Sequence, residues 1–230
     1  MSQIFESSVF FGVFISLSSY IFGIWLKKKT GWALANPLLV SIILVIATLS
    51  LLGVSYESYA RGAEIIGYLL TPATICLAVP LYQQVELLRK NWKAVVAGIS
   101  AGVLSSLVCI LLLALLFHFD HAAYVTFLPK SITTAIGLGV SEELGGYIPV
   151  TVVSIIITGV LGNIFAEKFL RLLHISEPIA KGIAIGTASH AVGTAKAMEM
   201  GAVEGAMSSL SIVVSGILTV VGASVFALFI

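Results

Sequence analysis

Residues Ala94 to Phe117 read AVVAGISAGVLSSLVCILLLALLF, with no charged side chain anywhere in the run. A helix needs about 20 mostly apolar residues to cross the ~30 Å hydrocarbon core of a bilayer. The run therefore predicts a membrane-spanning helix. Other runs meet the same criterion, the last of them only nearly: Val9 to Leu26, Pro37 to Val54, Ala206 to Ile230 and Ile148 to Phe165.

The composition of the whole chain also predicts a lipid-facing exterior. Of 230 residues, 59% are apolar and only 10% are charged, whereas a soluble domain carries roughly 25% charged residues. This excludes an ordinary soluble enzyme, and a net charge of +1 gives no indication of a nucleic-acid partner. Cys76 and Cys109 lie inside apolar runs without metal-ligand spacing. This predicts two buried free thiols, no metal and no cofactor.

Three further apolar segments are short or interrupted by polar and helix-breaking residues: Ile65 to Leu81, Tyr124 to Val140 and Ile179 to Ala197. The sequence thus predicts seven or eight membrane segments.

Basic residues concentrate on the cytoplasmic side of membrane proteins. If the segment from Tyr124 to Val140 dips into the membrane and returns, all three basic clusters of the chain face the cytoplasm. If it crosses, the third cluster lies outside, so we favour the re-entrant form. The clusters are Lys27 to Lys29, Arg89 to Lys93 and Lys168 to Lys181. Because the first cluster follows the first run, that run is expected to be a retained helix and not a signal peptide.

The same pattern occurs twice along the chain. Asn36 to Leu39 and Tyr147 to Val150 each open an apolar helix, and an interrupted segment and a long closing helix follow in both halves. The interruptions are expected at Leu70 to Thr74 in the first half and at Gly186 to His190 in the second. With an odd number of crossings between them, the repeats are inverted, which is typical of secondary transporters. The alternative is a chance similarity between helices rich in small residues. We predict one integral membrane domain, 1–230, with a first helix and basic loop (1–35), repeat 1 (36–120), a short or re-entrant segment (121–147) and repeat 2 (148–230).

Polar residues at the interruptions are the candidate binding residues. Broken helices are tolerated at membrane depth only where protein or a water-filled cavity satisfies the backbone. The resulting half-helix N-termini favour an anion, and two lysines add positive charge, so a small carboxylate is the expected substrate. The candidates are Thr71, Thr74, Lys130, Ser131, Thr133, Thr134, Thr187, Ser189, His190, Thr194 and Lys196.

Each charged candidate has an alternative interpretation. Both lysines could extend to the interface instead, and Glu199 follows Lys196 within one turn, which predicts an ion pair. His190 is a candidate proton switch, or else a neutral ring bonded to a backbone carbonyl. Glu142 and Glu143 are either a proton or cation site at the cavity mouth or a water-facing loop pair.

Two glycine pairs have GxxxG spacing and predict close helix contacts: Gly98 with Gly102, and Gly182 with Gly186. His118, Asp120 and His121 have metal-ligand residue types, but their position between two spans favours an interfacial loop. The sequence contains no P-loop lysine motif, GxSxG or HExxH, so neither ATP-driven transport nor hydrolysis is supported and the chain is not expected to be an enzyme.

At these same residues the chain resembles the LrgB/CidB family of membrane proteins over nearly its whole length. The motifs that carry the resemblance are NPLL at 36–39, GYLLTPAT at 67–74, VPLY at 79–82, LPKSITT at 128–134 and GIAIGTASHAVGTA at 182–195. The resemblance implies the fold of the cation/proton antiporter and bile-acid transporter group, in which interrupted helices cross mid-membrane. It also implies the inner (plasma) membrane of a bacterium as the location.

Two functions follow from the resemblance and the residues together. The first is a secondary carrier for small monocarboxylates such as pyruvate, glycolate, lactate or glycerate, expected as a homodimer and as proton-coupled. The second is a holin/antiholin-like modulator of murein hydrolase activity and autolysis, which acts with a small LrgA/CidA-type partner through surfaces such as the Gly98/Gly102 face. From the sequence we favour the carrier.

Overall fold

The computed structural model describes residues 10–32 and 35–230, without the side chains of Leu70 and Thr74. Every regular element in these ranges is helical. In chain order the helices are α1 (Phe11–Thr30), α2 (Pro37–Leu52), α3 (Tyr56–Tyr68), α4 (Leu70–Cys76), α5 (Ala78–Gln83), α6 (Val85–Leu116), α7 (His121–Phe127), α8 (Thr134–Glu143), α9 (Ile148–Leu172), α10 (Pro178–Met200) and α11 (Ala202–Phe226), followed by a 3-10 turn (Ala227–Phe229).

Four helical stretches of the described chain are long and apolar enough to cross a membrane: Tyr56–Gln83, Val85–Leu116, Ile148–Leu172 and Ala202–Phe229. Large apolar side chains are exposed along them, as expected where a helix faces lipid. The chain is therefore an all-helical protein with the character of a membrane protein. The full number of membrane segments, the inverted repeat and the domain boundaries remain predictions. Val9, the first residue of the first predicted span, lies outside the described residues.

The first of two compact units comprises Met1–Cys76. In it, α1 packs against α2 and α3. Gly23 makes this possible, because a Cβ there would lie 2.8 Å from the Pro37 backbone. Asn36 begins α2 as predicted for a helix start, since its Oδ1 accepts hydrogen bonds from two backbone N–H groups of the first turn, at 2.9 and 3.3 Å.

The second unit comprises Leu77–Ile230 and is built around the hairpin of α10 and α11. Helix α9 packs against α10, and α6 packs against both members of the hairpin. The predicted close contact at Gly182 and Gly186 is confirmed. A Cβ on Gly182 would lie 2.5 Å from the Glu204 carbonyl oxygen, and one on Gly186 would lie 2.8 Å from the Ser208 Cα. The fully buried Tyr124 links α7 to the end of α11, because its hydroxyl donates to the Phe226 carbonyl at 3.1 Å.

The charged segment before the third span is helical. Helix α6 begins at Val85, not at the predicted Ala94, and its 32 residues extend about 48 Å at 1.5 Å per residue. The helix is therefore longer than the ~30 Å hydrocarbon core of a bilayer. Arg89, Lys90 and Lys93 consequently lie on its first turns and not in a loop.

The segment predicted to run from Tyr124 to Val140 consists of two short helices. α7 has seven residues and α8 has ten, and each is shorter than the roughly 17 residues that the shortest spans need. Between them, Leu128 and Ile132 are each 1% exposed, so the connecting loop packs inside the protein. This geometry is compatible with the re-entrant form and offers no single helix that spans.

The interruption predicted at Thr71–Thr74 lies elsewhere in the structure. Thr71 to Thr74 are inside α4, and the helical run breaks at Leu69 and Leu77 instead. Helix α3 ends at Tyr68, four residues before Pro72, and α4 ends at Cys76, four residues before Pro80. Proline has no N–H with which to bond the carbonyl four residues earlier, so Pro72 and Pro80 end the preceding helix and not their own.

Candidate functional site

Helix α10 is broken in its middle, inside the stretch that the sequence marks as interrupted. Ser189 has φ −135° and ψ 17°, and His190 has φ 42° and ψ −142°. A positive φ in a residue with a side chain is costly and persists only where the surroundings hold it in place. Both residues are buried, at 4% exposure each. The second predicted interruption is thus confirmed.

Side chains from three helices hold this break. The ring of His190 donates through Nε2 to the Ile155 carbonyl of α9 at 3.0 Å. The Thr194 hydroxyl donates to the His190 carbonyl at 2.9 Å and lies 2.7 Å from the Ser208 hydroxyl of α11. The Asn163 amide donates to the Val192 carbonyl at 2.8 Å. Freed backbone groups are therefore satisfied by protein, as a break at membrane depth requires.

Glycines around the break leave the room that it needs. A Cβ on Gly159 would lie 2.7 Å from the His190 ring, and one on Gly193 would lie 2.5 Å from the Ser189 Cβ. On Gly162 it would collide with the Ser189 hydroxyl. The break is therefore built into the sequence of α9 as well as that of α10.

A cavity of about 860 Å³ lies beside the break, between α6, α10 and the loop that connects α7 to α8. Its apolar walls come mainly from small residues on α6 and α10. Its polar lining consists of Asn91, Ser105, Ser106, Cys109, Lys130, Ser131, Thr158, Glu177, Thr187 and Ser189. We name it the main cavity. The volume of the main cavity and its mixture of apolar and polar lining residues are typical of small-molecule binding sites.

Two groups in the main cavity have unused bonding capacity. The Lys130 ammonium donates to the Ser131 hydroxyl at 2.9 Å, and among the described residues no carboxylate lies within 4 Å of it. The Ser131 hydroxyl in turn lies 3.4 Å from that of Ser106. Thr187 is 6% exposed, and its hydroxyl has no hydrogen-bond partner among the described residues. An anion with an apolar body would satisfy both groups.

Lys196 does not share this cavity, which contradicts the prediction of one cavity with two lysines. It lies at a second cavity of about 660 Å³. There its ammonium is 3.2 Å from the Glu199 carboxylate and 3.4 Å from that of Glu167, which also pairs with Arg171 at 2.7 Å. The predicted ion pair with Glu199 is confirmed, and the positive charge of Lys196 is paired with carboxylates.

Other predicted residues are not gathered at the main cavity. Thr71 is exposed in the first unit, and the Thr74 side chain lies outside the described structure. Glu142 and Glu143 are exposed at the end of α8, in agreement with the water-facing alternative. Four more predicted residues do not line the cavity, and one of them is His190 at the break itself. Thr133 is the N-cap of α8, Thr134 follows it, and Thr194 bonds the broken backbone.

The Gly98/Gly102 face packs inside the molecule. A Cβ on Gly98 would lie 3.3 Å from the Ile183 side chain, and one on Gly102 would lie 2.7 Å from that of Thr187. Because α10 covers this face, it is not the free assembly surface that the modulator hypothesis placed there. The structure instead makes it one wall of the main cavity.

The prediction of buried cysteines is wrong, because both Cys76 and Cys109 are exposed. Six polar lining residues were not predicted from the sequence: Asn91, Ser105, Ser106, Cys109, Thr158 and Glu177. A signal for part of the lining was present on α6, where 98, 102, 105, 106 and 109 follow the i, i+4, i+7 spacing of one helix face. Within residues 10–32 and 35–230 no three His, Cys, Asp or Glu side chains are grouped to hold a metal ion.

The chain matches a protein-family model and is similar to known proteins. The model of the LrgB-like family matches residues 16–229. Antiholin-like protein LrgB of Bacillus subtilis (strain 168) is 42% identical to the chain over 220 residues, which cover 95% of each protein. No solved structure is significantly similar to the chain.

Proposed function

This chain belongs to the LrgB-like family, and on that premise we propose that it is an antiholin-like membrane protein that modulates murein hydrolase activity and autolysis. The observation that carries the proposal is the 42% identity to antiholin-like protein LrgB along 95% of both chains. This observation favours the modulator over the carrier, which is the reverse of the order that the residues alone suggest.

The proposed setting is the plasma membrane of a bacterium. The helices long enough to cross a bilayer support it, and so do the apolar side chains exposed along them. There we propose seven or eight membrane segments arranged as inverted repeats, with 121–147 dipping into the membrane and returning. A small LrgA/CidA-type membrane protein and a second copy of this chain are the proposed partners. The protein is not proposed to be an enzyme.

Murein hydrolase activity can be measured directly. The chain is expressed in a bacterial strain that lacks its own LrgB-type protein, and cell extracts are run on gels that contain purified cell wall. The proposal expects weaker hydrolase bands than in cells with an empty vector. Unchanged bands, with the chain demonstrably in the membrane fraction, would contradict it.

The main cavity supports a second candidate function, a secondary carrier for small monocarboxylates. In the part of the chain that the structure describes, no carboxylate pairs with Lys130 and no group bonds to the buried Thr187 hydroxyl. We propose that a carboxylate binds between them, with its apolar part against the small residues of α6. The break at Ser189–His190 is where α10 could bend between two orientations.

His190 has a positioning role in this candidate. Its ring donates to the Ile155 carbonyl, which agrees with the alternative of a ring bonded to backbone and fixes the broken helix against α9. Proton coupling through His190, Glu142 or Glu143 remains a proposal. Neither His190 nor the two glutamates line either of the two cavities, and the glutamates are exposed.

Uptake into liposomes tests the carrier. The purified chain is reconstituted, and the uptake of labelled pyruvate and glycolate is measured with and without a pH gradient. Saturable uptake is expected to be lost in Lys130→Met. Lys196→Met is the matched control, because it removes the same charge outside the main cavity and should retain uptake. No uptake by the unsubstituted protein, or equal uptake by both variants, would contradict the assignment.

A further inference from the structure

Cys109 presents its thiol in the main cavity. The residue is exposed, and no disulfide involves it. It stands on the same face of α6 as Gly102, Ser105 and Ser106, which line the cavity with it. Nothing in either proposed function uses this thiol.

The two charged groups of the main cavity lie at opposite ends of it. Gly98 faces Ile183 and Gly102 faces Thr187, so α6 and α10 run in the same direction along the cavity. Glu177, at the start of α10, is therefore near the Asn91 end. Asn91 and Cys109 are 18 positions apart on α6 (109 − 91), about 27 Å at 1.5 Å per residue.

Lys130 is the charge that the thiol experiences. Lys130 and Cys109 both line the main cavity. The hydroxyl chain from Ser106 to Ser131 leads from α6 to the Lys130 ammonium. A Glu177 charge about 27 Å away is screened, because the Debye length is about 8 Å at physiological salt.

A second observation in the same cavity points to a bound group. Thr187 lies opposite Gly102 of α6, and its buried hydroxyl has no hydrogen-bond partner among the described residues. A buried hydroxyl without a partner costs free energy until something bonds to it. An ammonium and a free hydroxyl therefore belong to residues that line the same cavity as Cys109, and both groups can bond an anionic group.

We propose that Cys109 is a modification site for small anionic disulfides, which react to leave a mixed disulfide that occupies the main cavity. The thiol first loses its proton to water. The Cys109 Sγ then attacks one sulfur of the reagent, a new S–S bond forms as the reagent's S–S bond breaks, and the leaving thiolate takes up a proton. The thiol is oxidised and half of the reagent is reduced. The site does not depend on the protein being a carrier.

Charge selectivity of the reaction is the test. The full-length Cys76→Ser protein, whose only remaining cysteine is Cys109, is treated in detergent with dithiodipropionate, which is anionic, or with cystamine, which is cationic. Intact mass gives the rate of each mixed disulfide. The ratio of anionic to cationic rate is compared with the ratio in two further variants, Lys130→Met and Lys196→Met, so that the intrinsic reactivity of each reagent cancels.

The proposal expects the ratio to fall roughly tenfold in Lys130→Met, at the lower end of the rate effects of charged clefts, and to stay unchanged in Lys196→Met. Raising the salt concentration from 0.05 to 1 M should lower the ratio in the protein with both lysines. This measurement tests the effect of the Lys130 charge on the reaction without a substitution that could alter folding. A thiol that reacts with neither reagent, or a ratio insensitive to both Lys130 and salt, would overturn the proposal.

Discussion

Substituting Gly186 by alanine should separate the central helix hairpin. A Cβ at that position would lie 2.8 Å from the Ser208 Cα and 2.8 Å from the Ser211 Cβ, whereas carbon atoms pack favourably at about 3.5–4.0 Å. The Ser208 atom belongs to backbone and cannot rotate away, so α10 and α11 must separate by roughly 1 Å or bend. Overpacking of this kind costs about 1–3 kcal/mol, and the contact with backbone puts it near the upper end.

The intrinsic helix preference of alanine offsets part of that cost by about 1 kcal/mol. The expected net loss for Gly186→Ala is therefore about 2 kcal/mol in the free energy of unfolding. Unfolding is followed by circular dichroism as dodecyl sulfate is added to detergent micelles that contain the protein. A loss of helical signal at a lower fraction of dodecyl sulfate is the predicted result.

Gly139→Ala is the matched control. Gly139 lies inside α8, and a Cβ there would meet nothing within 4 Å. This variant should gain the helix preference alone, about 0.5–1 kcal/mol. If Gly186→Ala is as stable as the unsubstituted protein, or if it shifts in the same direction as Gly139→Ala, the close hairpin contact is refuted.

Three further substitutions have expected magnitudes by the same measurement. Asn36→Ala removes the N-cap of α2 and should cost about 1 kcal/mol, while Asn36→Asp should retain most of the stability. Glu167→Gln removes a half-exposed partner of Lys196, so the loss should stay below about 1 kcal/mol and vanish at high salt. Tyr124→Phe removes the donor to the Phe226 carbonyl and should cost about 1 kcal/mol, and a neutral result would mean that water replaces that bond.

Local patterns in the sequence predict long apolar helices and the break in α10. An apolar run such as Ala94 to Phe117 predicts a helix on its own, because the hydropathy of a segment depends only on the residues of that segment. The polar run before His190 predicts the break, because polar groups in a lipid-facing helix need a cavity or a partner. The interruption expected at Thr71–Thr74 is shifted in the structure, because a proline removes the hydrogen bond to the carbonyl four residues earlier.

The sequence could not predict which helices pack against each other, or which face of each helix makes the contact. Lys196 lies six residues beyond the break at His190, and the face of a helix cannot be extrapolated through a non-helical residue. Its partner Glu167 is on another helix, so no spacing rule applies. The spacing of Gly98 and Gly102 likewise predicts a close contact but not whether α10 or another protein makes it.

The rate of autolysis tests the central claim most directly. The chain is expressed in a bacterial strain that lacks its own LrgB-type protein, and lysis is followed by turbidity after a mild detergent is added. An antiholin-like modulator predicts slower lysis than an empty vector gives, with Gly139→Ala as slow as the unsubstituted chain and Gly186→Ala less effective. Lysis at the empty-vector rate, with the unsubstituted chain present in the membrane fraction, would contradict the account.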